Sequence, residues 1–348
     1  MRILVAFTGG TIGCAPPDKE GMLAVQKAEE PKGYFLISSY DNPYKVEFDT
    51  IEPLNILSEN MTVSDWNILL KSFKKIDFST YDGIIITHGT DTMAYTASIF
   101  GMLFSGIRIP VIFVGSNYEL SDKRADGHQN FADAVSFIKN SKLGGTFVIF
   151  KSKVYLSTRI NQSKHFTHKY RSPDETAFGV MKAGEFELSC NAQNPGINDF
   201  DEICSGAPII DSIESISGCV LLIRPYVGLN YECLAISEEI KAVLHETYHS
   251  STACVETEEP AYSIMKFFER HKGIIKLYLA PFYGKILKGD NAVKYSSTAG
   301  MLNAGIKAVC DMSLESAYAK LLLAYSLYSD ENQIEAFLNK PLFFEQIS

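Results

Sequence analysis

The run Ile3-Leu4-Val5-Ala6-Phe7 is apolar throughout, and it leads directly into Thr8-Gly9-Gly10-Thr11-Ile12-Gly13. A short apolar run of this kind is typical of a strand buried on both faces of a parallel sheet. In such sheets ligands collect beyond the carboxyl ends of the strands, and paired glycines let the backbone approach a ligand closely. Thr11 is therefore a candidate site residue, with a tight turn that carries a solvated threonine as the alternative. The glycine spacing does not match the GxGxxG pattern of dinucleotide-binding loops.

A second segment repeats this arrangement. The apolar run Gly83-Ile84-Ile85-Ile86-Thr87 ends in His88-Gly89-Thr90-Asp91-Thr92, and a helix is predicted from about Met93. Asp91 could simply cap that helix, since an aspartate at an N-cap satisfies backbone donors. Two hydroxyl-bearing loops at parallel strand ends favour a shared site instead. A threonine hydroxyl is a weak nucleophile without an activating base, and a Thr90–Asp91 pair could position and polarise a water.

The rest of the chain continues the alternation of apolar runs and amphipathic stretches, which predicts an α/β layered fold. Further strands are predicted at Val111–Val114, Thr146–Phe150, Cys219–Arg224, Lys241–Thr247 and Gly273–Leu279, and helices at Ser64–Lys75, Ala94–Phe104, Asn130–Asn140 and Ser313–Tyr328. From Asn191 to Ser217 the composition shifts to turn-forming residues. We expect a larger N-terminal α/β domain over residues 1–192, a linker over 193–216, and a smaller C-terminal α/β domain over 217–348.

Charge and composition exclude several classes of protein. The 348 residues carry a formal net charge of -9, which argues against nucleic-acid binding because that binding depends on clustered Lys and Arg. No apolar stretch reaches the roughly 20 residues that a membrane-spanning helix needs, and no signal-type segment opens the sequence. The seven cysteines are scattered without a CxxC pair, which favours reduced thiols over a disulfide framework or a zinc cluster. We expect a cytoplasmic protein that binds a small molecule and needs no cofactor or metal.

The two threonine loops together give the sequence a specific resemblance. TGGTIG at residues 8–13 and HGTDTM at residues 88–93 resemble the motifs of the asparaginase/glutaminase family, and of its type I-like bacterial L-asparaginases in particular. Similarity extends along the chain through the segments at residues 58–61, 114–116, 124–127, 226–228 and 311–321. The resemblance implies hydrolysis of asparagine to aspartate and ammonia, with active sites near subunit contacts in a homodimer or homotetramer.

The same resemblance implies a role for individual residues. Thr11 would attack the side-chain amide to give a covalent acyl-enzyme, while Thr90, Asp91 and a lysine manage proton transfer and the hydrolytic water. Ser58 and Glu59 match the positions that hold the α-carboxylate and α-amino groups of the substrate. The backbone around Gly10, Gly89 and Ser116 would line the pocket.

Two positions depart from the family pattern. Met22 stands where a tyrosine on the loop after the first motif is expected, and Tyr34 or Tyr40 could replace it if that loop folds back. Counting back from Ser172-Pro173 to the lysine position reaches Asn161 or Gln162, and the nearest lysine is Lys164. We take Lys164 as the candidate for that role.

Two readings from other classes remain open. His245-Glu246-Thr247-Tyr248-His249 matches the HExxH pattern of zinc peptidases, with Glu269 as a possible third ligand, but that chemistry requires both histidines on one helical face. The segment aligns better with a strand that ends in a loop. The other reading is a non-catalytic or altered-specificity homologue that retains the amino-acid pocket. The sequence does not decide between asparagine and glutamine, because one methylene offers only about 1–3 kcal/mol of discrimination.

Overall fold

The computed structural model describes residues 1–13, 33–162, 169–172, 176–282, 284 and 295–347. The chain divides into two compact units, one formed by Met1–Ser215 with Leu342–Phe344 and the other by Ile216–Pro341 with Glu345–Ser348. Residues 193–215, which the composition suggested as a linker, thus belong to the first unit, and Phe200 from this segment is buried in its core.

The first unit is built on an eight-stranded sheet. Its strands are β1 (Arg2–Phe7), β2 (Glu47–Ile51), β3 (Gly83–Thr87), β4 (Pro110–Val114), β5 (Gly145–Phe150), β6 (Lys153–Leu156), β7 (Gly179–Lys182) and β8 (Glu185–Leu188). They follow the order β2-β1-β3-β4-β5-β6-β7-β8. The pairs from β2 to β5 are parallel, and those from β5 to β8 are antiparallel. Every residue of β3, β4 and β5 is buried, which is why these strands read as continuous apolar runs.

Helices cover this sheet. They are α1 (Gly33–Ser38), α2 (Val63–Phe73), α3 (Met93–Leu103), α4 (Gly127–Asn140) and α5 (Asp199–Ile203). A capping box between Thr62 and Asp65 starts α2 by satisfying backbone donors that a helix end leaves open. Every residue of α3 except Tyr95 is buried, so this helix is apolar all round. On α4, Phe137 packs against Phe147 of β5 with ring centroids 4.8 Å apart.

The second unit has a four-stranded parallel sheet of its own. The strands are β9 (Val220–Ile223), β10 (Ala242–Glu246), β11 (Lys276–Phe282) and β12 (Lys307–Cys310), and the helices are α6 (Ile264–His271), α7 (Ser296–Asn303), α8 (Leu314–Leu327) and α9 (Glu331–Asn339). The strand order is β12-β11-β10-β9. Phe267 of α6 and Leu279 of β11 lie in the core of this unit. The predicted fold class, a larger and a smaller α/β sheet, is therefore confirmed.

Within the described ranges, no helix combines the length and the apolar character needed to cross a membrane. No disulfide joins any two of the cysteines that the structure describes, which are at positions 190, 204, 219, 233, 254 and 310.

Candidate active site

The first glycine loop has a backbone that only glycine accommodates. Gly9 and Gly10 have φ angles of 99° and 75°. A Cβ on Gly9 would lie 2.2 Å from the carbonyl oxygen of Ile56, and Gly10 donates its backbone N–H to that same oxygen at 2.8 Å. The chain then turns through a short 3-10 segment over Thr11–Gly13. The segment after β2 thereby fixes the path of the loop at the point where Thr11 begins.

The two glycine loops pack directly against each other. Because β1 and β3 pair in parallel, their carboxyl ends meet at the same edge of the sheet. There, a Cβ on Gly10 would lie 2.3 Å from the backbone nitrogen of Gly89 and 2.4 Å from its Cα. Thr11 and Thr90 each follow this backbone contact by one residue. The structure therefore brings together the two motifs, which lie about eighty residues apart in sequence.

Ser58 completes this junction from a third segment. A Cβ on Gly89 would lie 2.4 Å from the buried Ser58 hydroxyl oxygen, which accepts the backbone N–H of Asp91 at 3.2 Å. The Thr92 hydroxyl donates to the Ser58 carbonyl at 2.8 Å. The next residue, Glu59, is exposed, and its carboxylate neither hydrogen-bonds nor ion-pairs with any residue that the structure describes.

The threonine hydroxyls of the two motifs fall into two groups. Those of Thr8 and Thr92 are committed to backbone carbonyls, at 2.7 and 2.8 Å. Across the described parts of the chain, the hydroxyls of Thr11 and Thr90 and the carboxylate of Asp91 have no hydrogen-bond partner. The uncommitted hydroxyls are thus those that flank the contact between the loops.

The alternative hypothesis that Asp91 caps the helix after its loop is wrong, because Asp91 does not cap α3. Thr92 occupies the N-cap position, and no side chain makes a capping hydrogen bond there. The Asp91 side chain is exposed, so its carboxylate is left available for other chemistry.

The second loop is also held from behind, because three consecutive backbone carbonyls accept hydrogen bonds from side chains. Each bond has ordinary geometry, and none involves a residue of the first loop. The donors are His88 Nδ1 to Gly89 at 2.7 Å, the Tyr170 hydroxyl to Thr90 at 2.7 Å, and Gln162 Nε2 to Asp91 at 2.8 Å.

Burial sets the protonation state of two of these donors. His88 is fully buried, and burial lowers its pKa to about 4, so the ring is neutral at pH 7. A carbonyl can only accept, so the proton of the neutral ring is on Nδ1. Burial raises the pKa of Tyr170 well above its ordinary value, and the nearby charges of Asp91 and Asp126 raise it further. Tyr170 is therefore protonated at neutral pH and available as a hydrogen-bond donor.

The Ser116 side chain is committed to local structure. Its hydroxyl oxygen accepts the Gly127 N–H at 3.1 Å and contacts Asp126 at 3.1 Å, and the hydroxyl also reaches the Tyr118 carbonyl. The adjacent Gly115 lies against the second loop, since a Cβ there would lie 3.3 Å from the Thr90 methyl. Because the Ser116 side chain is engaged elsewhere, only the backbone of residues 115 and 116 remains to line the candidate site.

The structure tests neither of the two departures from the family pattern. Met22 and Lys164 lie outside the described residues. Tyr34 belongs to α1, and the Tyr40 ring packs edge-on against Phe48 and Phe131.

Counting from Ser172-Pro173 to the family lysine had reached Asn161 or Gln162, and the structure places the Gln162 amide on the Asp91 carbonyl. Tyr170 was not predicted, because a single tyrosine in a short aperiodic segment carries no signal that it will meet Thr90.

The hypothesis of an HExxH zinc-peptidase site at His245 and His249 is wrong. His245 and Glu246 lie in strand β10, so the two histidines do not share a helical face. His245 is buried and its Nε2 lies 2.8 Å from the Tyr231 hydroxyl, while His249 is exposed. In the part of the chain that the structure describes, no three His, Cys, Asp or Glu residues are grouped to hold a metal ion.

Comparison with known proteins identifies the family. Residues 2–194 match the family model described as "Asparaginase, N-terminal". The chain belongs to the asparaginase family. It is 26% identical over 344 residues to an L-asparaginase of Thermococcus kodakarensis, covering 98% of each chain.

A solved structure of the thermostable L-asparaginase from that organism matches over 100% of both chains with a TM-score of 0.80 at 24% identity, which shows the shared fold. One component of a glutamyl-tRNA(Gln) amidotransferase from Thermoplasma acidophilum is 35% identical over 136 residues, 39% of this chain and 32% of that protein. This asparaginase-family chain is an amidohydrolase of the asparaginase type, acting on a small amide.

Proposed function

We propose that this amidohydrolase is an L-asparaginase, which converts L-asparagine and water to L-aspartate and ammonia with Thr11 as nucleophile. The strongest support comes from which threonine hydroxyls in the two motifs are hydrogen-bonded and which are not. Thr11 and Thr90 flank the contact between Gly10 and Gly89, and the described structure offers their hydroxyls no partner, whereas Thr8 and Thr92 are already bonded. A nucleophile must be free to attack, so Thr11 is the better of the two hydroxyls in its loop.

The reaction proceeds in two displacements. The Thr11 Oγ attacks the side-chain carbonyl carbon of asparagine as its proton leaves, and the tetrahedral species collapses by breaking the C–N bond. The nitrogen takes up a proton and departs as ammonia, leaving an ester between Thr11 and the aspartyl group. Water then attacks the ester carbonyl, restoring the Thr11 hydroxyl and releasing aspartate.

Ser58 and Glu59 supply recognition of the amino-acid end of the substrate. The Ser58 hydroxyl oxygen accepts the Asp91 N–H, so its own proton is available to donate to an α-carboxylate. The Glu59 carboxylate, which pairs with no residue in the described ranges, suits an α-ammonium group. Together they fit a zwitterionic substrate rather than a simple amide.

Thr90 and Asp91 handle protons in this scheme. Among the described residues the Asp91 carboxylate and the Thr90 hydroxyl have no hydrogen-bond partner, and both belong to the same loop. We assign the cationic role in proton transfer to Lys164, which lies outside the described residues. We also propose that the enzyme is cytoplasmic, works as a homodimer or homotetramer, and needs no cofactor.

The decisive experiment is ammonia release from L-asparagine, L-glutamine and a peptide amide by wild type and Thr11→Val. Thr146→Val is a matched control, because the Thr146 hydroxyl is buried in β5 without a partner among the described residues, and its loss breaks no hydrogen bond there. We expect Thr11→Val to lose at least about 10³-fold in kcat, in keeping with removal of a covalent nucleophile, and the control to retain wild-type turnover. Unchanged turnover by Thr11→Val would refute the mechanism.

A second candidate function is an amino-acid-binding homologue without turnover. One observation favours it: the Asp91 backbone is bonded by the neutral amide of Gln162 at the place where counting from the sequence sought a lysine. Such a protein would gain several degrees in Tm with saturating asparagine or aspartate, since a ligand of the native state stabilises it. It would release no ammonia, and Glu59→Gln would abolish the gain in Tm.

A further inference from the structure

We propose that Tyr170, together with Gln162 and His88, is a positioning residue that holds the Thr90–Asp91 pair in its reactive geometry. The inference rests on the proposed function and names side chains that neither motif contains, apart from His88. Its starting point is the line of three carbonyls, at Gly89, Thr90 and Asp91, that each accept one side-chain hydrogen bond. We call these three bonds the carbonyl clamp.

The clamp holds carbonyl oxygens of the loop, and a separate hydrogen bond holds a backbone N–H of the same loop. Together these bonds fix the backbone. The Thr90 carbonyl and the Asp91 N–H belong to one peptide plane, and they are held by the Tyr170 hydroxyl and the Ser58 hydroxyl. Gln162 holds the Asp91 carbonyl of the next plane. A peptide plane held at both neighbouring groups has little freedom to rotate about φ and ψ. The Thr90 and Asp91 side chains therefore leave the backbone in fixed directions.

Tyr170 is the strongest member of the clamp. Its ring is buried and meets Phe150 edge to face, with centroids 5.1 Å apart. Its backbone carbonyl accepts the Tyr155 hydroxyl at 3.0 Å. Packing of its ring in the core of the unit therefore fixes the position of the Tyr170 hydroxyl. Losing it would leave the Thr90 carbonyl without this partner in a partly buried environment.

This arrangement predicts a defect in the chemical step rather than in substrate binding. Catalytic groups must meet the reacting atoms within a fraction of an ångström, and small displacements reduce kcat steeply. Ser58, which we assign to the amino-acid end, contacts the loop through the Asp91 amide and the Thr92 hydroxyl, whereas the clamp bonds lie on the carbonyls of residues 89–91. Tyr170→Phe should therefore lower kcat about tenfold while KM changes less than about twofold.

The test combines kinetics with amide hydrogen exchange over residues 88–92, in wild type, Tyr170→Phe, Gln162→Met and Tyr231→Phe. Tyr231→Phe is the matched control, because it also removes a buried tyrosine hydroxyl, here the partner of His245 in the second unit. Gln162→Met removes the amide donor from a partly exposed residue, so it reports on the clamp even if Tyr170→Phe folds poorly.

We expect exchange over residues 88–92 to speed up about tenfold in Tyr170→Phe and Gln162→Met, and to stay at the wild-type rate in Tyr231→Phe. Wild-type exchange in both clamp variants would overturn the clamp, whatever the activity. Faster exchange with unchanged kcat would overturn the positioning role. A wild type that releases no ammonia from any amide would instead refute the proposed function, and the exchange comparison would still decide whether the clamp exists.

Discussion

Gly10 and Gly89 meet backbone to backbone, so closely that a Cβ on Gly10 would lie 2.4 Å from the Gly89 Cα. This contact joins the loops that follow β1 and β3, and it leaves no room for a side chain on Gly10. It is therefore the structural element on which a shared site for Thr11 and Thr90 depends.

Gly10→Ala should separate the two loops. Besides the overlap with Gly89, an alanine at this φ of 75° would adopt the left-handed region at a cost of about 1–2 kcal/mol. We expect a loss of about 3 kcal/mol in the free energy of unfolding, and at least a hundredfold loss of ammonia release. Urea unfolding and steady-state kinetics measure the two effects.

Gly13→Ala is the matched control for this change. It lies in the same loop, has no positive φ, and a Cβ there meets no described atom within 4 Å. Its kcat and stability should stay close to those of wild type. Equal damage from both substitutions would show that the loop is merely intolerant of alanine, and would contradict the specific role of the contact.

A buried ion pair in the second unit gives a prediction about stability. Lys320 and Glu345 are both fully buried, with Nζ 2.6 Å from Oε1, and Lys320 also donates to the Lys340 carbonyl at 2.7 Å. Glu345→Gln leaves a buried ammonium without its counter-charge and should lower the free energy of unfolding by about 3–5 kcal/mol.

The double variant Lys320→Met/Glu345→Leu tests the cause. It removes both charges and should recover most of that loss, because the desolvation cost of the pair disappears with it. Urea denaturation of the three proteins gives the comparison. A double variant as unstable as Glu345→Gln would show that packing, and not the unpaired charge, explains the loss.

How far the sequence predicts this fold depends on burial. β3 was predicted with its observed bounds, Gly83–Thr87, because a strand buried on both faces shows as one apolar run. β2 and β8 were not predicted: each is partly exposed and carries charged residues, so neither forms such a run. Helix α2 was predicted to reach Lys75 but ends at Phe73, since helix ends are set by local hydrogen bonds more than by apolar spacing.

The candidate site also contains features that the sequence predicts and features that it does not. The meeting of the two threonine loops could be predicted because the ends of parallel strands share an edge of the sheet. The bonds from Tyr170 and Gln162 could not, because these side chains lie in aperiodic segments 80 and 71 residues from the carbonyls they reach. Local pattern carries no information about contacts of that kind.

Acid should destabilise the protein through its buried histidines. Burial lowers the pKa of both His88 and His245 to about 4 in the folded protein. An unfolded histidine titrates near the ordinary 6.5, so between pH 6.5 and 4 the unfolded state binds more protons and stability falls as the pH falls. Each histidine accounts for about 3 kcal/mol over this window.

His245→Gln isolates one of these contributions at a residue outside the candidate site. We expect its free energy of unfolding to fall less than that of wild type between pH 7 and pH 4.5, by about 2–3 kcal/mol. The remaining groups titrate alike in both proteins, so urea unfolding followed by circular dichroism at the two pH values gives the difference. Equal acid sensitivity of the two proteins would mean that His245 is not held neutral by burial.

Glu59 offers a test of substrate recognition that is separate from catalysis. Its carboxylate is exposed and unpaired within the described structure, one residue beyond the Ser58 that holds the Asp91 amide. If it pairs with the α-ammonium of asparagine, Glu59→Gln should raise KM about tenfold and leave kcat within about twofold, because the lost interaction is the same in the ground and transition states. Glu52→Gln, at another exposed acid on the same segment, should change neither constant.

The same ion pair can be tested by changing the substrate in place of Glu59. An asparagine analogue without the α-amino group cannot pair with Glu59, so wild type should bind it about tenfold more weakly than asparagine, and Glu59→Gln should bind it as well as wild type does. The coupling between the side chain and the amino group is read from the four KM values. If Glu59→Gln weakens both substrates equally, its carboxylate supports the loop around Ser58 and does not recognise the substrate.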